Sequence, residues 1–247
     1  MKKFNFKVIL LILGGLILCS GLIYKNILEK KNITIAKNID KEMKETAHEK
    51  IQAWVSYYKK DPYLILSSNP YVYFDNEEFK EVLNLGPEYI PYILREIEHE
   101  DGASQAVWAI RDISKAKSLP KYVTTPECAS VWNSYVEAFS AKFDKLKKEL
   151  YSETDPEKFR FKAEEVKALG FLALPFIAAE NNSKMDEIAK QMFKENIKQL
   201  SYFEIKAEKL QSEDISLKEK ADIKLKDYKK LIKLNKNISN LELYKIK

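Results

Sequence analysis

The chain of 247 residues is short of the side chains that catalysis most often uses. It has two histidines, His48 and His99, and two cysteines, Cys19 and Cys128. No grouping of these has the spacing of a zinc site. Cys19 lies inside an apolar run, so an exported portion would hold one cysteine and no intrachain disulfide. Arginine is scarce: Arg95, Arg111 and Arg160 are three among 42 basic residues. Phosphate and base readers lean on the guanidinium fork, so this composition argues against nucleic acid as a partner. Six glycines are too few for a β fold with many turns. There is no phosphate-cradling glycine loop, no G-x-S-x-G and no H-E-x-x-H. Carboxylates are plentiful but scattered, and none pair off as general acid and base. The sequence therefore calls for no catalytic residue, metal or cofactor.

What is present begins with "MKKFNFKVILLILGGLILCSGLIYKN". Three lysines precede an uncharged run over residues 8–24. Seventeen helical residues rise about 26 Å, close to the thickness of a bilayer core. Val8, Leu11, Leu16, Leu18 and Ile23 are among the side chains this reading places in lipid. A cleaved signal peptide needs small residues before the cut; Cys19 and Gly21 could serve, but no A-x-A stretch exists. A lipoprotein signal needs a small residue before the lipidated cysteine, and Leu18 occupies that place. An uncleaved single-pass anchor needs neither feature and is the favoured reading. The basic start favours a cytoplasmic N-terminus and an exported main domain.

The expected organisation is a basic segment at 1–7, the anchor at 8–24 and a juxtamembrane linker at 25–36. A helical domain follows at 37–210, with a lysine-rich helical tail at 211–247. Ile39, Met43, Ala47, Ile51, Trp54, Val55 and Tyr58 form one apolar stripe on a helix that Pro62 ends. Asp75 or Asn76 can cap the next helix. Trp132, Phe139, Phe143, Leu146 and Leu150 lie on a long helix opened by Thr125 and Pro126. Ser183 is expected to cap a single helix carrying Met185, Ile188, Met192, Phe193, Ile197, Leu200 and Phe203 as far as Leu210.

Two segments match. "LGPEYIPYI" (85–93) and "LGFLALPFI" (169–177) both read Leu-Gly, three residues, an aliphatic, Pro, an aromatic, Ile. Gly86 and Gly170 are read as helix stops, and Pro91 and Pro175 as helix starts. These segments resemble the helix starts of HEAT-like repeats, and "DGASQAVWAIRDISK" resembles the second helix of such a unit. The stretch "SSNPY" also resembles a set of uncharacterised membrane-anchored proteins of Gram-positive bacteria. The resemblance covers about 61–115 well and 160–200 loosely. It implies an all-α fold, an irregular stack of helical hairpins after the N-terminal transmembrane helix. It also implies a binding style without catalytic residues.

The segment "SSNPYVYF" is not repeated. Ser68, Asn69, Tyr71 and Tyr73 are its candidate contact residues, because aromatics are enriched in interface hot spots. A structural role is the competing reading, with the polar residues bonding the turn backbone. Residues 215–247 hold ten lysines against Glu219, Asp222, Asp227 and Glu242, which leaves the rest of the chain close to neutral. A solvated helix face is the favoured reading of that basic helix, ahead of contact with anionic lipid or a wall polymer. The expected function is a membrane-anchored, non-enzymatic protein-binding or scaffold module at a bacterial envelope. The alternatives are an envelope hydrolase using dispersed carboxylates and a cytoplasm-facing membrane-bound regulator.

Overall fold

One helix, α1 (Phe6–Lys60), runs through the first quarter of the computed structural model. The structure describes residues 6–67, 69–99, 104–117, 119, 125–180, 182–207 and 215–246. Side chains at 6–23, 65, 70, 71, 98, 99, 104–108, 125–128 and 207 are outside that description. The second half of α1 is the axis of the core. Ile39, Met43, Ala47, Ile51, Trp54, Val55 and Tyr58 are all buried, at the spacing that puts them on one face.

The first half of α1 differs. Residues 24–34 are exposed, with Tyr24 at 65% and Ile27 at 59%. The linker expected at 25–36 is instead part of the helix. No glycine or proline lies between Tyr24 and Lys60 to interrupt its hydrogen-bond ladder. Among the described residues no helix is long and apolar enough to cross a membrane. The side chains of the expected anchor at 8–23, including Val8, Leu11, Leu16, Leu18 and Ile23, lie outside the described residues.

The remaining helices are α2 (Pro62–Ile65), α3 (Glu77–Leu83), α4 (Ile90–His99), α5 (Ser104–Ser114), α6 (Thr125–Ser152), α7 (Pro156–Lys167), α8 (Leu174–Ala179), α9 (Ser183–Glu195), α10 (Tyr202–Ala207) and α11 (Leu217–Leu234). The fold is all-α. The described residues hold no strand, only an isolated bridge between Leu85 and Leu200. Helix α1 packs on α3 and α4, α4 on α5, α5 on α6 and α6 on α7. A second stack joins α8, α9 and α11, and α11 returns to α1.

Side-chain caps set many helix starts. Asn76, not Asp75, caps α3, its Oδ1 accepting the Phe79 N–H at 2.7 Å. Asp155 caps α7 ahead of Pro156. Asn182, not Ser183, caps α9 by accepting from Lys184 and Met185. The two copies of the repeated motif do share a local structure. In each, a 3-10 turn (Pro87–Tyr89, Gly170–Ala173) runs straight into an α-helix whose second residue is proline.

Two expectations need correction. The single helix expected from Met185 to Leu210 breaks after Glu195. The chain finds better partners by crossing to the first motif, where the Leu200 N–H donates to Asn84 O at 2.8 Å. The core also does not stop near residue 210. Ala221, Leu225, Tyr228, Leu231 and Ile232 are buried, as are Ile238, Tyr244 and Ile246. The Trp132 indole N–H donates to Tyr244 O, and Asn133 pairs with the backbone of Ile246. Most lysines of α11 mask this because they lie away from the core, with Lys218, Lys226, Lys230 and Lys233 exposed and Lys224 alone buried among those of the helix.

Candidate functional site

Two places stand out: the far end of α1, and a sealed polar centre where the two motif copies meet. At the first, α1 ends at Lys60 and Asp61 caps α2 by accepting the Tyr63 N–H at 2.8 Å. The following turn is held by its own polar groups. The Asn69 N–H donates to Ser67 Oγ at 3.2 Å, and the Tyr73 hydroxyl donates to Ser67 O at 3.3 Å. Tyr73 is buried with its ring edge-on to Tyr58, centroids 5.4 Å apart. Its carbonyl accepts both the Trp54 indole N–H at 2.6 Å and Asn76 Nδ2 at 2.7 Å. Phe74 packs on Trp54 and Phe79.

Of the four candidate contact residues, Tyr73 is therefore part of the core, and Asn69 is exposed. Ser68 and the side chain of Tyr71 lie outside the described residues. The exposed surface here is made by residues the sequence reading passed over. Tyr63 is 87% and Leu66 82% exposed, and Tyr57 in the last turn of α1 is 41% exposed. The available signal was length. A one-turn helix between Asp61 and Leu66 can bury only one of its sides, and Leu64 takes it.

The polar centre is built on Glu88, which is fully buried. Its Oε1 accepts the Tyr202 N–H at 2.7 Å, and its Oε2 has no partner. Burial pushes its pKa up to about 7, against the smaller opposing effects of backbone N–H groups and Lys224. Lys224 is itself 5% exposed. Its ammonium donates to Ile197 O at 2.9 Å and to Gln199 O, and pairs with Glu204 at 3.3 Å. Gln199 donates to Leu83 O at 2.8 Å and keeps a buried Oε1 unpartnered. Gly86, Glu88, Phe171, Phe193, Gln199 and Lys224 line a cavity with about 10 Å³ for the centre of a water-sized sphere. That is close to the least that holds one water.

Glu88 was missed because its motif was read as punctuation. Aligning the copies sets Glu88 against Leu172, and both are 0% exposed. A carboxylate in a place its repeat gives to leucine was the legible sign. Of the four punctuation residues, Gly86 precedes its 3-10 turn as N-cap, Gly170 is the first residue of its own, and Pro91 and Pro175 lie in the first turn of α4 and α8; α3 and α7 themselves end earlier, at Leu83 and Lys167.

Two open grooves are basic. One, between α9 and α11, is lined by Lys226, Lys229, Lys230 and Lys233 with the ion pairs Lys190–Asp222 and Lys229–Asp186, both 2.6 Å. The other is lined by Arg111, Lys115, Lys117 and Lys167, beside Gly170. His48 Nδ1 lies 2.6 Å from Glu96 Oε2, with the histidine half-exposed and the carboxylate buried. The side chain of His99 lies outside the described residues. Among the described residues no group of His, Cys, Asp or Glu could hold a metal ion. The arrangement thus offers exposed surfaces for contact, and among the described residues the one strongly perturbed carboxylate, Glu88, is fully buried. No protein-family model matches the chain, and no curated protein or solved structure matches it either.

Proposed function

We propose that the chain is a membrane-anchored, non-enzymatic protein-binding or scaffold module at a bacterial cell envelope. Its helical domain is read as an irregular HEAT-like stack, carried outside the membrane by the apolar segment at 8–24. One observation carries this reading: an exposed Tyr63–Leu66 end follows the far tip of a helix that runs through that segment. From Tyr24 to Lys60 the helix rises about 54 Å. An uninterrupted helix of that length holds a contact surface at a set height above the bilayer. Tyrosine is a frequent interface anchor, and Tyr57 and Tyr63 flank the tip. The binding partner is a protein, engaged by surface complementarity. The basic groove along α11 supplies a second contact, with anionic lipid or a wall polymer.

The alternative is an envelope hydrolase using dispersed carboxylates; the most perturbed carboxylate among the described residues, Glu88, has room for only about one water beside it, which favours binding. Two measurements test the proposal. Protease added to intact cells should degrade the domain, and a protected domain would place it in the cytoplasm and favour a regulator there. Cross-linking from membranes should recover a protein partner with the wild-type chain and lose it with Tyr63→Ala/Leu66→Ala. Failure to recover any partner, together with turnover of a wall polymer by the purified chain, would replace binding with hydrolysis.

A further inference from the structure

Residues 196–201 join α9 to α10 as a strap laid across the entry to α4. Three bonds hold it there: Gln199 Nε2 to Leu83 O and Leu200 N–H to Asn84 O, both 2.8 Å, and Tyr202 N–H to Glu88 Oε1 at 2.7 Å. Of the three acceptors, only Glu88 can change its charge. Lys224 also grips the strap. An ammonium has three hydrogens, and the carbonyls of Ile197 and Gln199 with the Glu204 carboxylate take all three. None is left for Glu88.

The cavity beside the strap has an excess of acceptors. Glu88 Oε2 and Gln199 Oε1 are both buried and both unpartnered. A protonated Glu88 supplies a donor to this group of acceptors. An ionised Glu88 keeps the Tyr202 N–H on Oε1, but its Oε2 is bare and no cation is bonded to it, Lys224 acting only at a distance, so only water can solvate that oxygen. Gly86 seals the arrangement. A Cβ there would meet the Glu88 carboxylate and lie 2.8 Å from Leu200 O, so the strap and the turn are in contact with nothing between them.

We propose that Glu88 is a proton-operated latch: protonated, it keeps the strap closed over the Gly86–Glu88 turn, and ionised, it admits water and releases the strap. The other titratable groups facing it are Tyr89 beside it, Tyr202 and Glu204 on α10, Lys224 and Tyr228 on α11, and Tyr244 near the C-terminus. Burial holds the four tyrosines above their ordinary range, so they stay neutral through the window in which Glu88 titrates. That window lies near pH 7, where burial places the carboxyl. Release would uncover the α3–α4 turn and its polar groups, and so would couple the acidity of the surroundings to the shape of the domain.

Hydrogen exchange on the full-length chain in detergent micelles tests this, with each rate normalised to the unstructured-peptide rate at the same pH. If the closed latch titrates near 7 and the open one near 4.5, linkage makes opening roughly ten- to a hundredfold more favourable at pH 8 than at pH 5. The amides of Leu200 and Tyr202 should lose protection by that factor in the wild type. Glu88→Gln keeps the acceptor for Tyr202 and carries a permanent donor, so it should stay protected at both pH values. A pH-independent strap in the wild type, or a Glu88→Gln chain that follows the wild type, would overturn the latch. Carbon-13 titration of the wild-type Glu88 carboxyl gives a second readout that needs no variant. A midpoint near 7 coinciding with strap opening supports the latch, and a midpoint below about 5 ends it.

Discussion

Gly86 and Gly170 hold matching places in the repeated motif but are required for different reasons. Gly170 has φ +67°, in the left-handed region, and its missing Cβ would lie 2.6 Å from Ala116 N and 2.7 Å from Lys115 C. Gly86 has an ordinary φ of −71° and is required only by crowding against Glu88 and Leu200. Gly170→Ala should therefore lose about 2–4 kcal/mol, from conformation and backbone collision together. Gly86→Ala should lose less, because its φ suits alanine and only one of the three atoms crowding it, Leu200 O, is backbone, the other two belonging to the Glu88 side chain. Urea midpoints of the two variants check the order, and equal losses would remove the distinction. Glu88 carries a second residue-scale prediction. Its folded pKa, about 7, is above the ordinary 4.5, so the folded chain holds a proton that the unfolded chain releases between those values. Its contribution is fully present below about pH 4.5 and is lost as pH rises through about 7. Glu88→Gln should match the wild type in thermal stability at pH 4.5 and exceed it by on the order of 2–3 kcal/mol at pH 8. Thermal melts of both chains across that range give the comparison.

Elements differ in how much of them the sequence reveals, and the difference follows from where their partners lie. The stripe on α1 was legible because seven apolar residues at helical spacing have one physical solution, burial of that face. The break after Glu195 was not, because apolar periodicity continues through Ile197, Leu200 and Phe203. What ends the helix is a set of acceptors more than a hundred residues away, Leu83 O, Asn84 O and Glu88. The docking of α11 was hidden in the same way. Ten lysines suggested a solvated tail, while the features that fix it are polar and remote. The Tyr92 hydroxyl donates to Asp40 at 2.6 Å and accepts from Asn235 Nδ2 at 2.7 Å, and Asn237 Nδ2 donates to Asp40 at 2.8 Å. This clasp ties the end of α11 to α1 and α4. Tyr92→Phe would leave the buried Asn235 amide without that acceptor and should cost about 1–3 kcal/mol. Tyr244→Ala, which empties a fully buried ring site next to Trp132, should cost more, about 3–5 kcal/mol. Comparing the two variants by chemical denaturation tests whether the C-terminal segment belongs to the core.

At the scale of the whole molecule, the decisive fact is that one helix does two jobs. Residues 39–58 of α1 carry the buried face at the centre of the domain, while residues 24–34 are exposed. The stalk can be altered without cost to the fold, whereas the same alteration further along cannot. Inserting Pro-Gly between Asn32 and Ile33 breaks only exposed helix, so the thermal midpoint should stay within about a degree of the wild type. The same insertion between Lys44 and Glu45 would place Ala47, Ile51, Trp54 and Tyr58 out of register with Met43 and Ile39. Helical interruption costs at least ~3 kcal/mol, and several fully buried side chains would lose their sites as well. That chain should fail to fold cooperatively. If the stalk insertion also destabilised the domain, residues 24–34 would have to rest on the core, and the picture of a free-standing helix would be wrong. If it left stability intact but abolished capture of a partner from membranes, the height and rigidity of the stalk would be part of binding itself. The proposed surface at Tyr57, Tyr63 and Leu66 would then act through its fixed distance from the bilayer, and shortening α1 by two turns, about 11 Å, should abolish capture in the same way.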